Sequence, residues 1–335
     1  MVTIVDVARA AGVSKSTVSR VLDERLPRSQ NATAERVRKV AAELGYVRDP
    51  LASGLRRVGT STIGVVVPHL TDTVMAMLYE HIAAAAITRG LFAVVATTDD
   101  QPDTERVAVE SLVRRRVDGL ILTTARIDTP IPLEQLGHPM PHVLALRTNG
   151  TSAASIGDDH LGAHLATRHL IDLGHRRIGL VGGPPYASSA HGRRAGYQHA
   201  LTEAGIGFDE ALVAGDAFSM EAGEIAGRNL LDRSDRPTAI FAVNDNTAIG
   251  VMAAAHALGL RIPDDLSLVG YNDIPVVSRL PVPLTTVRVP FQQIATNALE
   301  LLREEGNDRP PRTLMAAPTL IPRKSSIACT PSTGS

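Results

Sequence analysis

Two groups of side chains in this 335-residue chain are spaced to bind something, and neither has the makeup of a catalytic centre. Near the N-terminus, Lys15, Ser16, Ser19 and Arg20 fall on the outward face of a short helix predicted over 15–22, while Val18, Val21 and Leu22 turn inward. Lys and Arg can donate to guanine O6 and N7, and Ser can bond base edges or phosphates. Thr17 and Ser19 are candidate phosphate contacts. Far downstream, Asn244 and Asn272 each follow an apolar strand. Amides there offer the paired hydrogen bonds that hold hydroxyl-rich ligands in a dry cleft.

Catalytic patterns are missing by comparison. The segment 179–184, Gly-Leu-Val-Gly-Gly-Pro, follows a strand but lacks G-x-G-x-x-G spacing and the Lys of a phosphate loop. No Ser sits in a nucleophile elbow. The histidines read as scattered, none is paired with the cysteine, and no metal site is expected. No catalytic residue and no cofactor is expected.

The elements that position the first group come early. Thr3 is a good N-cap for a helix over 4–11, whose apolar positions Ile4, Val7, Ala8 and Ala11 follow helical spacing. Gly12 permits a sharp turn, Ser14 caps the second helix, and a third runs over 34–44 to Gly45. Two short helices joined by a tight turn and braced by a third make the helix-turn-helix plan, with the second helix in the DNA major groove. A plain three-helix bundle with a solvated polar face has the same pattern, and helix periodicity alone does not separate the two. Charge bears on the choice. Residues 1–60 carry eleven Lys/Arg against six Asp/Glu, while the rest of the chain is acidic and the net charge is −1. A basic head on an acidic body points to a polyanion partner for the head. The segment 49–57 that follows has Asp49 as a cap and Pro50 at a first helical position, but it is short and holds Gly54, so it orders only against a partner surface.

From about 61 to 330, apolar strands alternate with helices. Strands are read over 62–67, 91–97, 119–123, 178–181, 238–243 and 267–270, with helices over 74–89, 104–116, 159–173, 189–204 and 246–258. Such alternation gives parallel sheets covered on both faces. The pattern restarts near 176–181, echoing 62–67, which suggests two α/β lobes with ligands in the cleft beyond the strand C-termini. Composition agrees with a globular fold: 44% hydrophobic, 21% charged, only 3% aromatic and no Trp. The single Cys329 excludes an intrachain disulfide framework. The opening residues lack a signal peptide's basic start and apolar run, and no stretch approaches the ~20 apolar residues of a membrane span, so a cytoplasmic protein is expected.

Residues 5–14 (Val-Asp-Val-Ala-Arg-Ala-Ala-Gly-Val-Ser) and 16–22 (Ser-Thr-Val-Ser-Arg-Val-Leu) resemble the opening of the LacI/GalR (lactose-repressor) family. So do 37–46, 170–178, Val243-Asn244-Asp245, 269–275 and 283–288, so the resemblance spans nearly the whole chain. It implies a helix-turn-helix domain over 1–48, a hinge over 49–60, and a type I periplasmic-binding-protein-like body over 61–330 that binds an effector and dimerises. The first lobe would take 61–158 and 291–318, and the second 159–289 and the tail. By resemblance Lys15, Ser16 and Arg20 match base-reading positions. Ala52 and Leu55 match a hinge that wedges into the minor groove, and Arg193, Asn244 and Asn272 match effector contacts. His69, Asp72 and Met75 are expected in or after the loop following the first strand, and Phe291 against the ligand face. The implied partners are a near-palindromic double-stranded operator, a second copy of the chain, and a small effector, taken as a carbohydrate on the family's habit, with no membrane. A cytoplasmic sugar- or nucleoside-binding protein whose head contacts another protein is the alternative, and the head argues against it.

Overall fold

The structure, a computed structural model, describes residues 2–22, 29, 31–46, 60–135, 140–305 and 310–329. The chain divides into two compact units, Met1–Thr60 and Ser61–Ser335.

In the first unit, α1 (Ile4–Ala11), α2 (Lys15–Val21) and α3 (Ala32–Glu43) enclose a small core in which Val7, Val18 and Val37 are fully buried. Burying a Val contributes roughly 1.5–3 kcal/mol. The Asp6 carboxylate accepts the Thr3 backbone N–H at 2.9 Å and its hydroxyl at 2.6 Å, closing the start of α1. Gly12, at φ 64°, turns the chain sharply into Ser14, whose hydroxyl accepts the Thr17 N–H at 3.2 Å. The third helix begins two residues earlier than the sequence reading placed it, because Asn31 is its cap and accepts the Ala34 N–H at 2.8 Å. Arg36 Nε donates to the Ala11 carbonyl at 3.1 Å and ties α3 to the end of α1.

The second unit holds two α/β lobes. The first is a parallel sheet of β1 (Thr62–Val67), β2 (Phe92–Thr97), β3 (Gly119–Leu122), β4 (His142–Ala145), β5 (Ala154–Gly157) and β11 (Thr313–Ala316), in the order β11-β5-β4-β3-β1-β2. Its helices are α4 (Thr73–Ile87), α5 (Pro102–Arg114) and α10 (Phe291–Glu304). The second lobe is a parallel sheet of β6 (Ile178–Val181), β7 (Val213–Ala214), β8 (Ala239–Ala242) and β9 (Ser267–Val269), ordered β7-β6-β8-β9, with α6 (Asp159–Asp172), α7 (Ser188–Glu203), α8 (Met220–Leu231) and α9 (Asp245–Ala257). The antiparallel pair β10 (Thr286–Arg288) and β12 (Thr319–Ile321) lies beside two of the passages between lobes. The described chain passes between lobes three times, after β5, after β10 and after β11. The expected α/β class with parallel sheets holds, and β1, paired on both sides by β3 and β2, is buried from Ile63 to Val67 as a strand covered on both faces should be.

Several elements had no clear sequence signal. β4 and β5 were not read, β7 has only two residues, and α8 carries Gly223 and Gly227 in its interior, residues that ordinarily weaken a helix. Here they let α8 lie against α9: a Cβ at Gly223 would collide with the Thr247 backbone, and one at Gly250 with the Met220 carbonyl. No helix among the described residues is long and apolar enough to cross a membrane.

Candidate functional site

In the head, α2 buries Val18 and leaves Lys15, Ser16 and Arg20 exposed, with Ser19 half-buried. Among the described residues no ion pair occupies Lys15 or Arg20. Ser14 and Thr17 are joined, their hydroxyls 2.8 Å apart, and a second 2.8 Å contact links Ser14 to Ser16. Thr3 is exposed, with its hydroxyl proton committed to Asp6. Ala52 and Leu55 lie outside the described residues.

In the body, a cleft of about 490 Å³ opens between the lobes, beyond the C-terminal ends of their strands. The loop after β1 and the start of α4 bring His69, Asp72 and Met75 to it, α7 brings Arg193, and the loops after β8 and β9 bring Asn244 and Asn272. Six of the seven expected effector residues therefore meet in one cavity. Phe291 does not. It is buried in the first-lobe core at the start of α10, and lines a separate groove with Met77, His81, Asn272 and Arg288. The expectation that it faces the ligand is corrected on that ground.

Arg193 is only 7% exposed. Its Nε donates to Asp159 Oδ1 at 2.8 Å and its Nη1 to the Val243 carbonyl at 2.8 Å, while the guanidinium lies 3.9 Å from the centre of the Tyr271 ring. These two bonds leave three of its five N–H groups over. Asn244 is differently engaged. Its Oδ1 accepts the Thr247 N–H at 2.8 Å, capping α9, and its Nδ2 donates to the Phe218 carbonyl at 3.0 Å, so one amide N–H is left over. Asn272 is 4% exposed, and its φ of 106° is strained for a residue with a side chain. Asp99, Asp100 and Leu146, also on the cleft wall, share positive φ. Such strain concentrates where a binding surface fixes the backbone.

The wall also holds side chains the sequence reading did not single out: Asp100, Arg147, Tyr186, Phe218 and Asn246. Arg147, 4% exposed, grips Asp100 through two hydrogen bonds of 3.1 and 3.2 Å. Tyr186, from the second lobe, donates its hydroxyl to Asp100 Oδ2 at 2.7 Å, and Arg126 of the first lobe stacks 3.4 Å from its ring centre. The Ile127 N–H donates to the Tyr186 carbonyl at 3.0 Å. Asn246 Nδ2 reaches across to Asp72 Oδ1 at 3.2 Å, and its own Oδ1 is buried without a partner. Burial works to raise the Asp100 pKa, yet Arg147 and Tyr186 hold it below the usual carboxylate range. Asp72 lies above that range, because burial outweighs its hydrogen bonds to Val74 and Asn246. Burial and the bond to Asp100 push the Tyr186 phenol up to about 12. One signal was available for the missed aromatics: the chain has only five Tyr and five Phe, and two of them sit in polar loops at 186 and 218.

Behind the cleft, Asp245 is fully buried. It accepts the Thr286 hydroxyl at 2.6 Å and the Ile274 N–H at 2.8 Å, and burial raises its pKa to about 7. Asp273 pairs with Arg288 at 2.7 Å and Arg323 at 2.6 Å, fastening the loop that presents Asn272.

Residues 3–49 match the bacterial regulatory proteins of the lacI family, and residues 167–326 match the periplasmic binding protein-like domain. The chain is 36% identical over 331 residues to the HTH-type transcriptional regulator GalR of Escherichia coli (strain K12), covering 97% of this chain and 96% of that one. The lac repressor dimer, solved bound to operator and the anti-inducer ONPF, matches with a TM-score of 0.87 at 30% identity, over 98% of this chain and 99% of that one. The transcriptional regulator CelR in complex with cellobiose matches with a TM-score of 0.74 at 31% identity, over 97% and 100% of the two chains. A helix-turn-helix head and a two-lobed ligand-binding body define a DNA-binding transcription regulator, not an enzyme. The chain belongs to the LacI family of bacterial regulatory proteins.

Proposed function

We propose that the chain is a cytoplasmic repressor, dimeric through its body, whose hold on a near-palindromic operator is gated by a carbohydrate that fills the cleft. Residues 1–48 form the reading head, 49–60 the hinge and 61–330 the effector-binding and dimerising body. Lys15, Ser16 and Arg20 read base edges; Thr17 and Ser19 serve the phosphates; Thr3 and Ser14, the caps of α1 and α2, complete the DNA-binding set; Leu55, beside Ala52, wedges between base steps in the minor groove. Arg193, Asn244 and Asn272 with Asp72, Met75 and His69 hold the effector. Two copies of the head match two half-sites.

The observation that carries the effector reading is the lining of the cleft, where Arg193, Asn244, Asp100 and Arg147 supply hydrogen-bonding groups and Tyr186 and Phe218 supply aromatic surface. The volume lies within the usual range for small-molecule sites, and the regulator CelR was solved with cellobiose. A ligand works only through its preference for one arrangement of the lobes. The cross-lobe bonds of Tyr186 and Asn246 supply such an arrangement.

A thermal-shift screen of the purified chain against mono- and disaccharides and nucleosides tests this, since a bound ligand raises apparent stability by mass action. Hits are then tested for their effect on binding to genomic fragments selected at moderate salt. A sugar that raises Tm and changes the affinity for the fragment, in either direction, supports the reading. Hits confined to nucleosides would replace the effector class, and failure to select any fragment over bulk competitor would remove the repressor.

A further inference from the structure

We propose that the outer face of the second lobe carries a divalent transition-metal site whose ligands are His164, His199 and Glu203. Two helices present them. His160 and His164 are one turn apart on α6, and His199 and Glu203 one turn apart on α7, so each pair shares a helix face. The two helices touch at their backbones: a Cβ on Gly196 would collide with the His160 carbonyl, and one on Gly192 would come within 2.9 Å of the Asp159 Cβ. That close packing sets the pairs face to face on a rigid scaffold, as a metal site requires.

His164 Nε2 lies 2.7 Å from Glu203 Oε2, and His199 Nε2 lies 3.2 Å from Glu203 Oε1. All three ligand atoms fall within 4.8 Å of one another. Tetrahedral bonds of about 2.0–2.1 Å place ligand atoms roughly 3.3 Å apart, so small side-chain rotations admit the ion. The His164 and His160 rings each lie 5.1 Å from the His199 ring, and exposed His160 or water completes the shell. Two or three imidazoles with one carboxylate suit Zn²⁺ and its neighbours in the first row rather than Mg²⁺ or Ca²⁺. The nearest competing cation on α6, Arg168, is committed to Asp172 at 2.8 Å. The expectation of no metal overlooked the His160-x-x-x-His164 spacing, which is plain in the sequence, although its partners on α7 lie almost forty residues away.

A tag-free, chelator-stripped full chain is titrated with Zn²⁺ and Co²⁺. One equivalent of Zn²⁺ should bind and raise Tm by several degrees, and Co²⁺ should give the visible absorption of a four-coordinate N/O site. His164→Ala and Glu203→Ala should each weaken Zn²⁺ at least tenfold while leaving the metal-free Tm unchanged. The site is overturned if no saturable shift appears, or if the double variant binds Zn²⁺ as tightly as the parent.

Discussion

The head and the cleft hold their polar residues in opposite ways. On α2, Lys15 and Arg20 extend into solvent and are tied to nothing among the described residues. In the cleft, Arg193, Arg147, Asp100 and Asp72 are buried or half-buried and already bonded to one another or to the backbone. An exposed residue adds little to stability and can meet its partner at little cost to the fold. A buried ion must be matched within the fold first, and only its leftover donors serve a ligand. Binding and stability are therefore separable in the head and entangled in the cleft.

The sharpest way to break that contrast is Arg193→Ala. It strands Asp159 as an unpaired buried carboxylate and should cost roughly 3–5 kcal/mol of stability, together with the response to any effector found in the screen. Adding Asp159→Asn should restore part of the stability but not the response. A single variant that unfolds like the parent in denaturant would undo the entanglement. Arg20→Ala should instead cost about 1–3 kcal/mol on the selected operator, little on random DNA, and within ~0.5 kcal/mol in stability. Equal losses on both DNAs would move Arg20 to the phosphate contacts.

Asp245 sharpens the buried side with a pH signature. Its folded pKa of about 7 exceeds the usual carboxylate value. The folded state thus holds its proton longer than the unfolded one, and the advantage present below pH ~4 is lost as pH rises through about 7. Asp245→Asn removes that titration at a constant cost, the lost acceptor for the Ile274 N–H. The stability of the variant relative to the parent should therefore improve from pH 4 to pH 7, by up to a few kcal/mol in denaturant titrations. A difference independent of pH would mean Asp245 titrates normally. The smallest effect belongs to Tyr186→Phe. It keeps the ring beneath Arg126 and deletes the bond to Asp100, for about 1 kcal/mol and a Tm lower by roughly 2–4 °C. An unchanged Tm would show that the stacked ring alone holds that loop to the first lobe.

The same contrast governs what could be read from the sequence. Recognition by one helix is local, so Gly12, Ser14 and the 3.6-residue pattern around Val18 sufficed to place α2 and its outward face. Most of the long strands and helices of the body were equally plain, α8 and α10 excepted. The cleft is assembled from loop ends that lie far apart in the chain. Arg147 follows β4, whose four residues gave no periodic signal, so its embrace of Asp100, 47 residues earlier, was invisible. Asn244 was read as a ligand contact because it follows a strand, but the same position also makes it the cap of α9. The interior glycines of α8 argued against a helix whose reason for forming, contact with α9, is tertiary.

Threading the chain three times between the lobes has a consequence for synthesis. Strand β11, at residues 313–316, completes a sheet begun at residue 62, pairing with β5 at residues 154–157, laid down 159 residues before it. On a ribosome, the N-terminal half of the body must wait with an open edge until nearly the whole chain has emerged, and such late, distant pairing is slow and prone to mispairing. The small helical head faces no such delay.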